Sequence, residues 1–224
     1  MNRRATSRGR IAGKGLLIAL SFAIAAYAAV GYGVMPLGSL VIPDMKANFV
    51  AHPIGIYGHI GGAAIALLLG PFQFVTRLRN AAPTLHRWAG RVYLGVGVLG
   101  GGTFGLYMSQ FAFGGNVARF GFAALSVCWL YSGARAYLAI RRRAIQKHRK
   151  WMVRNFALTF AAVTLRIYLP VSHVAGIEFT VAYPIIAWLA WVPNLLVAEW
   201  MFNTAKGSAP RRARAAASAH SSDS

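Results

Sequence analysis

The sequence predicts an all-α polytopic membrane protein, with six transmembrane helices in one bundle. Three observations predict it. First, 57% of the 224 residues are hydrophobic and only 12% are charged, against roughly a quarter charged in a soluble domain. Second, apolar runs long enough to cross a hydrocarbon layer, about 20 residues each, recur along the chain. Third, the Lys and Arg residues behind the net charge of +20 sit in short clusters between those runs, where they set orientation. That placement makes the partner a lipid bilayer and argues against nucleic acid. The single cysteine, Cys128, falls inside a predicted span, so there is neither a disulfide framework nor a CxxC motif.

Residues 1–10 form a basic tail, M-N-R-R-A-T-S-R-G-R. The apolar run at 11–34 exceeds the 7–15 residues of a signal peptide's apolar core and reads as a retained first span. Pro36, Pro43 and Asp44 then supply turn residues. The second span, 54–76, carries a stripe of His59, Gly62, Ala63, Ala66, Gly70, Gln73 and Arg77. Its small residues permit close approach, by another helix or by a flat cofactor. Thr84 is a plausible N-cap for the third span, 85–109, whose matching stripe is His86, Gly90, Tyr93, Gly97, Gly100, Phe104 and Tyr107. The fourth span, 120–140, has no histidine; Ser126, Cys128 and Ser132 are its small polar groups. The sixth, 180–202, should kink at Pro193-Asn194. The six-helix domain is thus expected over 11–203, followed by a disordered basic tail at 204–224.

Counting Lys and Arg gives five in the first tail and flank, four between spans two and three, seven between spans four and five and four in the last tail. The opposite connections hold only Lys46 and Arg119. This alternation predicts both termini in the cytoplasm.

The fifth span, 148–173, concentrates the polar groups. Residues at helical spacing place Met152, Asn155, Thr159, Ala162, Arg166, Leu169 and His173 on one stripe, while Phe156, Leu158, Phe160, Val163, Leu165 and Ile167 fill the other faces. Arg166 lies 15 residues beyond Trp151, about 22 Å at the helical rise, in the outer part of the hydrocarbon layer. Snorkelling to the surface would explain it. Sharing a stripe with Asn155 and Thr159 instead points it inward, where an ionisable side chain needs a partner. Pro170 cannot donate to the carbonyl of residue 166, which leaves that oxygen free as one acceptor.

Four histidines sort by membrane side. His86 and His148 open helices at the basic end, each followed by Arg and then a nearby Trp; His59 and His173 lie toward the other end. His52 and His220 fall in a loop and the tail. Neutral imidazoles on facing helices are what axial ligation of haem iron requires, and histidines near a bilayer surface also serve as anchors or hydrogen-bonding groups.

The segments H-I-G-G-A-A-I-A-L-L-L-G-P-F-Q-F, L-H-R-W-A-G-R-V-Y and K-H-R-K-W-M-V-R-N-F-A-L-T-F-A-A-V-T-L-R-I-Y-L-P resemble those of a bacterial family of membrane proteins called domain of unknown function 2306. The resemblance spans roughly residues 50–200 and implies no activity. It places His59, Gln73, His86, Arg91, His148, Arg154, Asn155 and Arg166 in characteristic motifs. The layout is also similar to transmembrane cytochromes of the b-561 type, which implies histidines near both faces binding two b-type haems. Here the fourth span lacks its histidine, and the fifth would have to supply ligands at both ends.

Two classes of function fit. One is transmembrane electron transfer through b-type haem between spans two, three and five. In that reading His86, His148, His59 and His173 are the candidate iron ligands, and Arg154 or Arg166 pairs a propionate or polarises a quinone carbonyl. The other is a non-redox membrane protein, a permease or assembly factor. Arg166, Asn155 and Gln73, with Arg154 and Arg91 as further pairing groups, would then line a polar cavity for a small anionic ligand. A carboxylate pair, HExxH, GxSxG and a phosphate-binding glycine loop are all missing from the sequence, which removes the usual hydrolase chemistries.

Overall fold

The computed structural model describes residues 2–202, with side chains from Ala12 onward; the tail expected at 204–224 lies outside them. Among the described residues six helices are long and apolar enough to cross a membrane: Ala12–Gly33, Pro53–Phe74, Pro83–Ser109, Gly115–Arg141, Ile145–Val174 and Phe179–Phe202. These correspond one to one with the six expected spans. The first extends back to Asn2, so the basic residues expected as a tail form its opening turns. Two short helices flank the bundle. Thr76–Ala81 follows a 3-10 turn at Pro71–Phe74 at the basic end, and Pro43–Ala51 lies at the far end.

Spans two to five pack as an inner group, with span one against spans two and five and span six against spans four and five. The second and third spans meet through backbone. A Cβ on Gly62 would fall 2.5 Å from the Cα of Gly101, and one on Gly97 would fall 3.0 Å from the Cβ of Ala66. The small-residue stripe of span two is therefore filled by a neighbouring helix, as close-packed membrane helices require.

Span three departs from a regular α-helix. From Tyr93 to Gly100 it is a π-helix, which closes its hydrogen bonds one residue later than an α-helix and rotates everything beyond it. The buried face consequently continues through Gly101, Gly105 and Met108 rather than Gly100, Phe104 and Tyr107. Span five also breaks. Its helices run Ile145–Thr159 and Ala161–Val174, interrupted at Phe160. Asn194, beside the proline of span six, reaches across the break and donates to the Ala157 carbonyl at 3.3 Å and to Thr164 Oγ1 at 2.8 Å.

Candidate functional site

At mid-bundle the core is organised by a buried polar knot. Tyr93 and Asn155 are both 0% exposed. The Tyr93 hydroxyl donates to Asn155 Oδ1 at 2.7 Å and lies 3.0 Å from Thr159 Oγ1. Asn155 Nδ2 donates to the Trp129 carbonyl at 2.9 Å and to Ser132 Oγ at 2.8 Å. Trp129 Nε1 donates to Thr159 Oγ1 at 2.9 Å, and Thr159 donates to the Asn155 carbonyl at 3.0 Å. Every hydrogen of the Asn155 amide is thus used inside the protein, as burial in a low-dielectric core demands.

Beyond this knot, toward the far end, the six spans enclose a cavity of about 620 Å³. Trp129, Thr159 and Ala190 line its inner end, and the 39–49 segment with Phe111–Phe113 lines its outer end. Most of its wall is apolar. His59, Arg166, Tyr27, Tyr32 and Tyr183 line it together with the smaller polar groups Ser39, Ser109, Ser126 and Thr159, and no carboxylate does.

Two elements position the pair His59 and Arg166. His59 is six residues into span two and Arg166 eight residues from the end of span five, about 9 and 12 Å from the far ends of their helices. Their depths match, and the two side chains lie within electrostatic range of one another. The His59 ring contacts the Gly101 carbonyl through Nδ1 at 2.9 Å. A carbonyl only accepts, so Nδ1 carries the hydrogen and Nε2 keeps its lone pair. Gly105 makes room for the ring, since a Cβ there would fall 2.7 Å from Nδ1.

The Arg166 guanidinium lies over the Tyr27 ring at 5.4 Å and donates from one nitrogen to the Ala162 carbonyl at 3.1 Å. The acceptor is the carbonyl one turn back, not the oxygen freed by Pro170. No carboxylate among the described residues pairs with Arg166; the ion pair among them is Arg154 with Glu199. Arg166 thus lines the cavity with one carbonyl acceptor and one ring as its described partners.

The other singled-out residues sit elsewhere. Arg154 holds Glu199 with two donors, one at 2.7 Å, between the rings of Trp151 and Phe202. Arg91 stacks on Trp88 at 4.8 Å and is exposed. His173 is exposed and does not line the cavity that holds His59. His52 is stacked on Phe111 and bonded to the Tyr107 hydroxyl at 2.8 Å.

At the basic end His86 and His148 come within electrostatic range of each other. His148 Nδ1 donates to the Ala136 carbonyl at 2.9 Å. His86 Nδ1 and Gln73 Nε2 are buried without a partner among the described residues, and Gln73 Oε1 lies against Gly90, one turn from His86. His86 and His148 are thus the candidate iron-binding side chains at this end. Groups of three or more His, Cys, Asp or Glu able to hold a bare metal ion are missing among the described residues.

Sequence reasoning had not assigned roles to Tyr27, Tyr32, Tyr183, Trp129 or Glu199. The usable signal was chemical: aromatic rings with polar tips need partners when buried, and an inward Arg attracts rings.

A family model described as "Predicted membrane protein (DUF2306)" matches residues 56–202. None of the curated proteins and none of the solved structures compared with the chain matches it.

Proposed function

The chain belongs to the DUF2306 family of predicted membrane proteins, and we propose that it binds a small amphipathic molecule in the intramembrane cavity, head group on Arg166 and apolar body toward Trp129. The observation that carries this is Arg166 at the cavity wall with no carboxylate partner among the described residues. Leaving a charge desolvated and uncompensated costs several kcal/mol, and an anionic or strongly accepting head would relieve that cost. The cavity volume of about 620 Å³ falls in the range of small-molecule sites. A permease or an assembly factor handling such a molecule in a bacterial inner membrane fits this chemistry.

A second reading is b-type haem at the basic end for transmembrane electron transfer, supported by the approach of His86 and His148 and the unpartnered His86 Nδ1. Haem, when bound, would supply a one-electron centre, and His86 and His148 would hold its iron.

One preparation tests both. Protein purified in detergent from haem-replete cells should yield, on extraction and mass spectrometry, a small molecule that Arg166→Gln loses. Arg166→Lys keeps the charge but not the planar fork and should retain it at an occupancy lower by about tenfold, the loss of one charge-assisted hydrogen bond. Identical extracts from wild type and Arg166→Gln, at equal expression, would overturn the cavity reading. A reduced b-type α band that disappears in His86→Ala or His148→Ala would establish the second; a colourless wild type would remove it.

A further inference from the structure

We infer that the cavity molecule carries a hydroquinone head, bound with one hydroxyl on His59 Nε2 and the opposite oxygen on Arg166. This rests on the cavity reading above and names its ligand class. Three observations select it. The Gly101 carbonyl fixes the hydrogen of His59 on Nδ1, so the nitrogen left for a ligand is an acceptor and calls for a donor. Arg166 offers only donors and calls for an acceptor. The cavity that holds them is rich in aromatic rings, with Tyr27 against Arg166 and Phe49, Phe111, Phe122, Trp129 and Tyr183 also among the lining residues, which suits a flat ring.

A fatty carboxylate would satisfy Arg166 but present lone pairs to a lone pair at His59. A hydroquinone satisfies both groups. Its oxidised quinone has two acceptors and can use only Arg166. The cavity, running from the far end to the polar knot at mid-bundle, leaves its apolar inner part for the tail.

The His59 seat is specific to this fold. The π-helix at Tyr93–Gly100 turns Gly101 and Gly105 toward span two, so one supplies the carbonyl and the other the space for the ring. A Cβ at Gly105 would fall 2.7 Å from Nδ1 and would displace the imidazole without altering its chemistry.

The test is anaerobic calorimetric titration of the purified full-length protein in detergent with a decyl-tailed benzoquinone and with its reduced hydroquinone. The hydroquinone should bind about three- to tenfold more tightly, the worth of one additional neutral hydrogen bond. His59→Phe should abolish that preference while the quinone affinity stays within about twofold, and Gly105→Ala should reduce the preference in the same way. Arg166→Gln should weaken both forms by about tenfold or more. Equal affinity for the two forms in the wild type would overturn the hydroquinone assignment and leave the cavity reading standing. Tighter binding of oleate, lost in Arg166→Gln and indifferent to His59→Phe, would do the same. Binding of none of the three would overturn both. The wild-type comparison decides the matter even where a variant fails to fold.

Discussion

Asn155 shows how a polar residue in a membrane-spanning helix can be structural when its neighbour on the same stripe is not. Its amide is spent on Tyr93, Trp129 and Ser132, whereas Arg166, three turns along, finds one carbonyl and a ring. The distinction could not be read from spacing, because both residues fall on the inward stripe and only the three-dimensional neighbours separate a satisfied group from an unsatisfied one. Asn155→Leu deletes three hydrogen bonds, those with the Tyr93 hydroxyl, Ser132 Oγ and the Trp129 carbonyl, although Tyr93 keeps Thr159 and Ser132 keeps the Trp129 carbonyl. Side-chain hydrogen bonds within membranes average about 0.6 kcal/mol each, so the three lost bonds should together cost about 2 kcal/mol. Thermal unfolding in detergent should therefore shift down by several degrees, with Tyr93→Phe comparably damaging because it takes the donor from the buried Asn155 Oδ1. A melting temperature unchanged in Asn155→Leu would mean the knot contributes nothing to stability.

Packing of span two on span three is set by glycine at chosen positions rather than by glycine content. Gly62 sits where an added Cβ would meet the Gly101 backbone at 2.5 Å, whereas its neighbour Gly61 has nothing within 4 Å. Gly62→Ala must push two helices apart, an overpacking cost of about 1–3 kcal/mol, while Gly61→Ala should be neutral or slightly stabilising through its higher helix propensity. Size-exclusion yield and melting temperature of the two variants check this; comparable behaviour would show that the helices do not approach as closely as described. The stripe on span two was legible in the sequence because an α-helix keeps its period from Pro53 to Leu69. The stripe on span three was legible only as far as Gly97. Beyond it the π-helix shifts the phase, so that Gly100, Phe104 and Tyr107 give way to Gly101, Gly105 and Met108. A 3.6-residue period carries no information about where a helix changes its hydrogen-bonding step. Span five illustrates the same limit: one stripe was expected along it, but the helix breaks at Phe160, with Asn155 and Thr159 of the polar knot before the break and Arg166 after it.

For the molecule as a whole, the two chemically distinct regions lie at opposite ends of the bundle. The cavity with His59 and Arg166 opens among the far-end segments 39–49 and 111–113, and the His86–His148 pair lies among the basic clusters. The number of spans and their order were legible because hydrophobic length and charge alternation act on each segment separately. A cavity holding Arg166 was expected, but its lining was not legible, because it exists only where six helices leave space between them; Asn155 and Gln73 stand outside it. Which compartment the cavity faces depends on orientation. Positive residues are retained on the cytoplasmic side, and the clusters flanking spans one, two to three and four to five outweigh Lys46 and Arg119 on the other. A reporter fused after Phe202 should therefore be active as a cytoplasmic fusion, and one inserted within residues 111–118 should be active only outside. Small far-side loops make the second insertion informative, since that segment also forms part of the cavity's outer end and should be reached by an impermeant thiol reagent after introducing Ala112→Cys in a Cys128→Ser background. Labelling of that cysteine from outside intact cells would place the cavity opening on the outer face. Labelling only after permeabilisation, together with an outside reading for the fusion at Phe202, would invert the molecule and make the ligand one delivered from the cytoplasm.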